Sequence, residues 1–314
     1  MEVGFMTQDR VMCIPRLPRR ALLAVVSLLA SVVVLGSASS ALATEHHPTG
    51  DFAPFADCPL SNSATNYCIF AKTESGEFVV GKKTVPITST ITLQGGFHVI
   101  LNEELEIQGY EFFGAEDGNT LSKTPQNVPG GLAGLISCPE ISNFLVRIVC
   151  EVTFENGLTG VTATTELAAP ATSIGISVQN LIEGSGTALT LPIKVKLNNP
   201  FLGESCYIGS NAHPISLPLT TGTTAPPEPN KPITGKVGKI AFKDEFALTV
   251  VTENTLVNNS FAAPVAEGCG GIFAFLIDPI VDAQLGLPAA AGHNTAILSG
   301  ALQDANAESV KASE

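Results

Sequence analysis

Apolar and polar residues alternate along two stretches of the chain, at 84–93 and 189–197. In the first stretch, valine, isoleucine and leucine interleave with threonines. In the second, every odd position is leucine, isoleucine or valine. A period of two with many β-branched residues is typical of strands with one buried face. Pro192 lacks the N–H that a ladder uses, so it predicts an edge position or a bulge in the second strand.

An Asn-Gly pair at 156–157 lies between two further alternating stretches, 146–154 and 159–167. Both turn residues tolerate positive φ, so this pattern predicts a β-hairpin with a two-residue turn. The register that follows from such a turn places Arg147 opposite Glu166 and aligns the apolar faces of the two strands. We therefore expect a central hairpin here.

A competing helical pattern begins just before this hairpin. Ser137 and Glu140 form a capping box, and apolar residues follow at helical spacing. A helix that continued to the end of this pattern would separate Cys138 from Cys150 by about 18 Å along its axis. A disulfide needs Cα atoms within about 7 Å, so a long helix and a 138–150 bridge exclude each other. We favour one or two helical turns from Cys138, followed by a strand from about Leu145.

Short strands separated by Gly and Pro turns dominate the remaining chain. The further predicted strands are 67–72, 77–81, 106–113, 174–178, 205–209, 240–242 and 246–252. This arrangement predicts an all-β fold, an antiparallel β-sandwich of jelly-roll type with one or two short helices and stapling disulfides. Four prolines occur in the stretch 220–236, which we interpret as a long surface loop. The alternative is an extended linker between two β domains.

The N-terminus has the layout of a secretory signal peptide. Arg16, Arg19 and Arg20 precede the apolar run Ala21–Gly36, and an A-x-A cleavage pattern ends at Ala43. The alternative is an uncleaved anchor, but the run is shorter than the roughly 20 apolar residues that span a bilayer. We predict a signal peptide at 1–43.

The mature chain then divides into three parts by composition. We predict a disordered N-terminal tail at 44–57, a β-sandwich-like domain at 58–300 and a flexible C-terminal tail at 301–314. The C-terminal residues are polar and contain no second hydrophobic segment, so we expect no membrane association after signal cleavage.

Acidic residues outnumber basic residues throughout the mature chain. The signal region holds four arginines and two acidic residues, so its removal leaves 12 basic and 27 acidic residues and a net charge of about −15. Nucleic acids and anionic membrane surfaces both require clustered Lys and Arg. Both are therefore excluded as expected partners, and the acidity is typical of a soluble protein outside the cell.

Six cysteines follow the predicted cleavage site, and an even number in an exported chain predicts disulfides. The chain has no C-x-x-C pair and no histidine at ligand spacing beside a cysteine, which disfavours a metal site. Fifteen connectivities are possible, and pairing of nearest neighbours is the simplest. That pairing joins Cys58 to Cys68, Cys138 to Cys150, and Cys206 to Cys269.

Three stretches in the second half resemble a recurring pattern of exported actinobacterial proteins. They are LPIKVKLNNPFLGESCYIGS at 191–210, LTTGTT at 219–224 and GCGG at 268–271. The resemblance extends from Cys58 to about Gly300 and is to an uncharacterised family. It implies export and a shared fold, and it carries over no activity and no site residues.

Candidate chemistry is sparse. The chain contains no G-x-S-x-G elbow, H-E-x-x-H motif, P-loop or dinucleotide fingerprint, so we expect no cofactor. His98, His213 and His293 lie in the predicted domain, but nothing in the sequence selects one as a catalytic base. Asp278 and Asp282 would share a helix face, either as a carboxylate pair or with Asp278 as the N-cap.

Cleavage after Ala43 would create one possible metal site. The new terminus would read Thr44-Glu45-His46, and a histidine third from a free amine supplies a square-planar nitrogen set that suits Cu(II) or Ni(II). The alternative is a polar tail in which the histidine has no such role.

These observations favour a secreted or cell-surface protein that is not an enzyme and that binds an unknown extracellular or cell-surface partner or has a structural role. The alternatives are an extracellular hydrolase whose site assembles only in three dimensions, and N-terminal Cu(II) or Ni(II) binding. A concave pocket with Ser, His and a carboxylate in contact would favour the hydrolase. An exposed apolar patch or an open strand edge would favour partner binding.

Overall fold

A computed structural model describes residues 46–134, 144 and 160–314. Within these residues, two seven-stranded antiparallel sheets pack face to face. The strands are β1 (Tyr67–Val80), β2 (Lys83–Pro86), β3 (Ile91–Leu101), β4 (Ile107–Gly114), β5 (Pro125–Asn127), β6 (Thr162–Leu167), β7 (Gly175–Ile176), β8 (Leu189–Asn198), β9 (Tyr207–Ile208), β10 (Ile215–Leu219), β11 (Lys239–Lys243), β12 (Leu248–Asn258), β13 (Ala266–Glu267) and β14 (Thr295–Asn306). The α-helices are α1 (Val178–Glu183), α2 (Ala274–Leu285) and α3 (Ala307–Ala312). Short 3₁₀ segments lie at Gly50–Phe55, Gly131–Gly134, Ala171–Ser173, Asp244–Phe246 and Gly271–Phe273.

The first sheet has the strand order β11-β12-β14-β1-β3-β4, and β2 pairs with the second half of β1. The second sheet has the order β13-β9-β8-β6-β5, and β7 and β10 pair with the first half of β8. The main apolar core lies between the sheets and draws residues from both. The predicted all-β, sandwich-like fold with few short helices is therefore confirmed.

The alternating stretch at 189–197 forms β8, whose odd residues face the core. The prediction of an edge position or bulge for Pro192 is wrong, because β8 is a central strand that pairs with β10 at Ser216. The Pro192 carbonyl accepts from Ala168, just beyond the end of β6. The proline nitrogen points to the same side of β8, beyond the last residue of β6. The missing N–H therefore removes no hydrogen bond of the β6–β8 pairing.

The alternating stretch at 84–93 forms two strands, β2 and β3, with a bend between them. The side chain of Gln126 is buried and holds this bend. Its Oε1 accepts from the amides of Thr88 at 2.9 Å and Ser89 at 3.0 Å, and its Nε2 donates to the Ser89 carbonyl at 2.7 Å. Gln126, some 37 residues further along the chain, thus fixes a bend inside a stretch that its alternation predicts to be one continuous strand.

The predicted hairpin is only partly within the described residues. Its first strand, the Asn-Gly turn, the capping box and the 138–150 disulfide all lie outside them. The later part of its second strand is present as β6. From Thr162 to Thr164, β6 pairs with β8 on one edge and with β5 on the other. The predicted hairpin register is therefore not available to these three residues.

The predicted tails at 44–57 and 301–314 are wrong where the structure describes them. The segment Gly50–Phe55 is a 3₁₀ helix with Phe55 buried, and β14 continues to Asn306 before α3 buries Val310. These side chains form a second apolar cluster over Leu248 on the outer face of the first sheet. A few large apolar side chains at each end are enough to anchor segments whose average composition is polar.

The chain ends also contact each other, because the Thr49 hydroxyl donates to the Ser313 carbonyl at 2.7 Å. The described residues from His46 onward belong to one compact unit.

The stretch 220–236 is a long loop within this unit, as the first interpretation predicted. Isolated bridges join Thr223 to Thr234 and Lys236 to Thr255, and no strand forms between them. The buried side chain of Asn259 donates to the Lys231 carbonyl at 2.8 Å. The loop is therefore held by side-chain amides from the sandwich and does not separate two domains.

Two of the predicted disulfides are present, Cys58–Cys68 and Cys206–Cys269. None of the helices that the structure describes is long and apolar enough to cross a membrane.

Candidate functional site

Strands β8, β9 and β13 meet at one edge of the second sheet, where the Cys206–Cys269 disulfide joins the start of β9 to the end of β13. A polar hollow of about 390 Å³ lies beside this bridge. Its lining residues are Lys194, Ser205, Tyr207, Gly209, Ser210, Asn211, Glu267 and Gly268. We call this hollow, together with the adjoining loop Gly270–Phe275 (a 3₁₀ turn and the first two residues of α2), the disulfide surface.

Tyr207 lines the hollow and contacts residues of β6 and β8. Register places it opposite Lys196 on β8, and the Lys194 Nζ lies 4.7 Å from the centroid of its ring. The phenol donates to Glu166 Oε2 at 3.4 Å. Burial, and then the charge and hydrogen bond of Glu166, raise the pKa of Tyr207. The phenol therefore stays protonated and serves as a hydrogen-bond donor.

Lys194 connects the two sides of the hollow. Its Nζ donates to Asn211 Oδ1 at 3.0 Å and lies 3.9 Å from Glu166 Oε2. Since even-numbered residues of β8 face away from the core, these groups share the solvent face of the second sheet. Both signs of charge and one phenol thus converge on a shallow surface, which suits recognition of polar groups.

The hollow does not contain a serine hydrolase triad. The hydroxyl of Ser210 accepts a hydrogen bond from the backbone amide of His213 at 3.2 Å. The imidazole Nδ1 of the same histidine lies 3.7 Å from Glu267 Oε1. Within the described residues, no hydrogen bond joins the His213 ring to the Ser210 hydroxyl, and that is the contact that nucleophilic catalysis requires.

The other two predicted histidines lie elsewhere, on β3 and in the turn before β14. His98 Nδ1 forms a hydrogen bond with the side chain of Asn66. The backbone amide of His293 donates to the Ala290 carbonyl at 3.2 Å. The three histidines are not brought together at one site.

Asp278 and Asp282 share a face of α2, but they bind backbone and are not a solvated pair. Asp278 accepts from the amides of Gly268 at 3.1 Å and Cys269 at 2.7 Å, and Asp282 accepts from Ala266 at 2.7 Å. The N-cap interpretation of Asp278 is wrong, because α2 begins four residues earlier. Burial raises the pKa of Asp282; the hydrogen bond from Ala266 opposes this effect, and the charge of Asp278 adds to it.

The loop that follows the disulfide exposes large apolar side chains. Ile272 is 87 % exposed and Phe275 is 73 % exposed, and Phe273 between them is also exposed. The loop is fixed at its base, since the Gly270 amide donates to the Leu202 carbonyl at 2.7 Å. A Cβ at Gly270 would lie 2.6 Å from the Ile277 side chain, so only glycine fits there.

Two hairpin tips of the first sheet also expose apolar residues. Leu105 lies between β3 and β4, and Phe246 lies between β11 and β12. In the described part of the chain, β11 pairs only with β12, so its outer edge is open. Acidic side chains flank the first tip at 103, 104 and 106.

The predicted metal site lies mostly outside the described residues, which exclude Thr44 and Glu45. His46 Nδ1 lies 2.5 Å from Glu314 Oε1, and its Nε2 lies 3.4 Å from Glu116 Oε2. Among the residues that the structure describes, no group of three or more His, Cys, Asp or Glu could hold a metal ion. N-terminal Cu(II) or Ni(II) binding therefore stays a prediction.

Sequence reasoning missed the two components of the disulfide surface. The lysines of β8 are visible as polar positions in its alternation, but their meeting with Tyr207 depends on the β8–β9 register. The apolar run after Gly271 gives no sign of exposure, because such a run is equally typical of a buried helix start. Comparison of the chain with family models, with curated proteins and with solved structures finds no match.

Proposed function

We propose that the mature chain is an exported, non-catalytic protein that binds a protein partner outside the cell through the disulfide surface. The observation that carries this proposal is the exposure of Ile272, Phe273 and Phe275 on a loop whose base is anchored by a disulfide and a backbone hydrogen bond. Large exposed apolar groups in a cluster are typical of interaction sites, because leaving them in water is unfavourable.

The anchoring of this loop supports a role of its exposed apolar side chains in binding. A disulfide, two carboxylates of α2 and a backbone hydrogen bond to Leu202 all anchor the base of the loop. A surface that is already ordered loses little conformational entropy when a partner binds. The fold thus presents its apolar side chains in a fixed arrangement.

The chemistry of the neighbouring hollow supports a protein as the partner. Apolar anchors beside a rim with both signs of charge and a tyrosine correspond to the usual composition of protein interfaces. The acidic composition of the mature chain argues against a nucleic acid or an anionic membrane in this role. The signal-peptide pattern and the disulfides support an extracellular location.

Binding to the washed envelope of the producing organism tests this proposal. We expect saturable binding of the mature protein, with affinity at least tenfold lower after Ile272→Ser combined with Phe275→Ser. Leu105→Ser is the matched control, since it removes a similarly exposed apolar side chain from the β3–β4 turn of the first sheet and should bind normally.

Two results would overturn the proposal. One is unchanged binding of the double variant when circular dichroism shows that it is folded. The other is unchanged binding to an envelope whose proteins have been digested, because the partner would then not be a protein.

A further inference from the structure

Two adjoining cavities lie in the core between the sheets. Their volumes are about 70 Å³ and about 50 Å³. Both are lined by Phe78, Thr165, Ile193 and Leu217, so they adjoin along β8, and we call the two together the core space. Native cores pack as densely as organic crystals and contain few voids larger than a water molecule. Unfilled space of this size forfeits contacts that an apolar ligand would restore.

The polar groups of the lining are few and mostly engaged. Gln126 is bonded to the bend after β2. Lys72 turns to the opposite face of the first sheet, where its Nζ lies 5.3 Å from the centroid of the Phe70 ring. Water entering this space would therefore find few partners, so the interior suits a hydrocarbon.

Lys83 is the exception, and it lies where the space reaches the protein surface. It shares the inner face of β2 with Val85, and both line the second cavity beside Val80. All three residues are only half-buried. Within the described residues, the Lys83 ammonium has no hydrogen bond and no ion pair. A cation that has no such partner among the described residues, at the rim of an apolar space, is a natural partner for a carboxylate.

We propose that this space binds a single-chain anionic amphiphile, with its hydrocarbon chain between Phe78, Ile193 and Leu217 and its carboxylate at the Lys83 ammonium. The site is distinct from the disulfide surface, because Ile193 faces the core while its neighbour Lys194 faces the polar hollow. One strand, β8, thus separates the two sites, and each can be tested while the other is intact.

Isothermal titration of the mature protein with linear saturated carboxylates of increasing length tests the proposal, with the matching alcohols as a second series. We expect one molecule per chain and an affinity that rises about fourfold per added methylene until the space is filled. Lys83→Met keeps an apolar stem but removes the charge. This variant should lower the affinity for the carboxylates at least tenfold and change the affinity for the alcohols less than twofold.

Two further variants complete the design. Lys311→Met removes an exposed charge from α3 and should bind like the natural protein. Ala163→Ile adds side-chain volume in the second cavity and should weaken carboxylates and alcohols alike. A melting curve of the Ala163→Ile variant establishes whether this variant folds. If it does not fold, the Lys83→Met variant still tests the proposal.

The proposal is overturned if no chain length binds saturably, or if Lys83→Met weakens both series equally or neither. Neither result bears on the partner proposed for the disulfide surface, because Lys83→Met leaves that surface unchanged.

Discussion

Asp278 accepts a hydrogen bond from the backbone amide of Cys269 at 2.7 Å, which links α2 directly to the Cys206–Cys269 disulfide. Its second oxygen accepts from Gly268 at 3.1 Å. A carboxylate with two amide donors is fixed in position. The start of α2, which carries the exposed Phe275, and the 3₁₀ turn before it, which carries Ile272, are therefore held at the edge of the second sheet by these hydrogen bonds and by the disulfide.

Replacement of Asp278 with Ala should loosen this loop while the sandwich stays folded. The amides of Gly268 and Cys269 would lose their acceptors, so we expect a loss of about 1–3 kcal/mol in the free energy of unfolding. Urea unfolding measures the loss, and hydrogen exchange should accelerate at these two amides. Glu74→Ala, an exposed change on β1, is the control and should alter neither. Unchanged exchange at Cys269 would contradict the role assigned to Asp278.

The two observed disulfides should contribute unequally to stability. Cys206–Cys269 closes a separation of 63 residues and Cys58–Cys68 one of 10. Chain entropy predicts losses of about 4 and about 3 kcal/mol when each pair is replaced by alanine. Denaturant unfolding of the two double variants tests the order, and each serves as the control for the other. A larger loss for the shorter loop would show that contacts in the second apolar cluster, and not chain entropy, decide the ranking.

The sandwich could be predicted from the sequence because the local alternation of apolar and polar residues indicates its strands. The odd residues of β8 face the core as their alternation implies, and two of the three predicted disulfides join neighbouring cysteines. Strand alternation and cysteine order are properties of adjacent residues.

The features that could not be predicted depend on contacts between distant residues. Gln126 interrupts the alternating stretch at 84–93 from some 37 residues away, and Val310 packs with Phe55 from the opposite end of the chain. The candidate site could not be predicted for the same reason. The local sequence suggests that Asp278 is a helix cap, but its carboxylate accepts hydrogen bonds from the amides of Gly268 and Cys269. The local sequence also gives no indication that Ile272 is exposed.

Asp304 should make the protein more stable in mild acid than at neutral pH. It is half-buried on β14, and burial raises its pKa to about 6, although a hydrogen bond with Thr249 opposes the shift. The folded state therefore holds this proton more tightly than the unfolded chain, whose carboxyl has a pKa near 3.8. Its contribution is fully present below pH 3.8 and is lost as the pH rises through about 6. The loss amounts to about 3 kcal/mol.

Asp304→Asn isolates this effect from the other titrating groups. The variant cannot ionise, so we expect it to exceed the natural protein in stability by up to about 3 kcal/mol at pH 7 and by little at pH 4. Urea unfolding at several pH values between these limits measures the difference. A difference that stays constant with pH would show that the Asp304 carboxyl titrates normally.

Asn294 should be among the most sensitive polar positions in the fold. It is fully buried, its Oδ1 accepts from the Gly81 amide at 2.9 Å, and its Nδ2 donates to the Phe261 carbonyl at 2.9 Å. Asn294→Ala would remove the acceptor of the half-buried Gly81 amide and a donor to the buried Phe261 carbonyl, so we expect a loss of at least about 2 kcal/mol. Asn230→Ala is the matched control: this side chain also donates to two carbonyls but lies in the 220–236 loop, and its loss should be smaller. Thermal and urea unfolding rank the two variants, and an equal or reversed order would mean that the loop, and not the Asn294 amide, limits stability at this end of the sandwich.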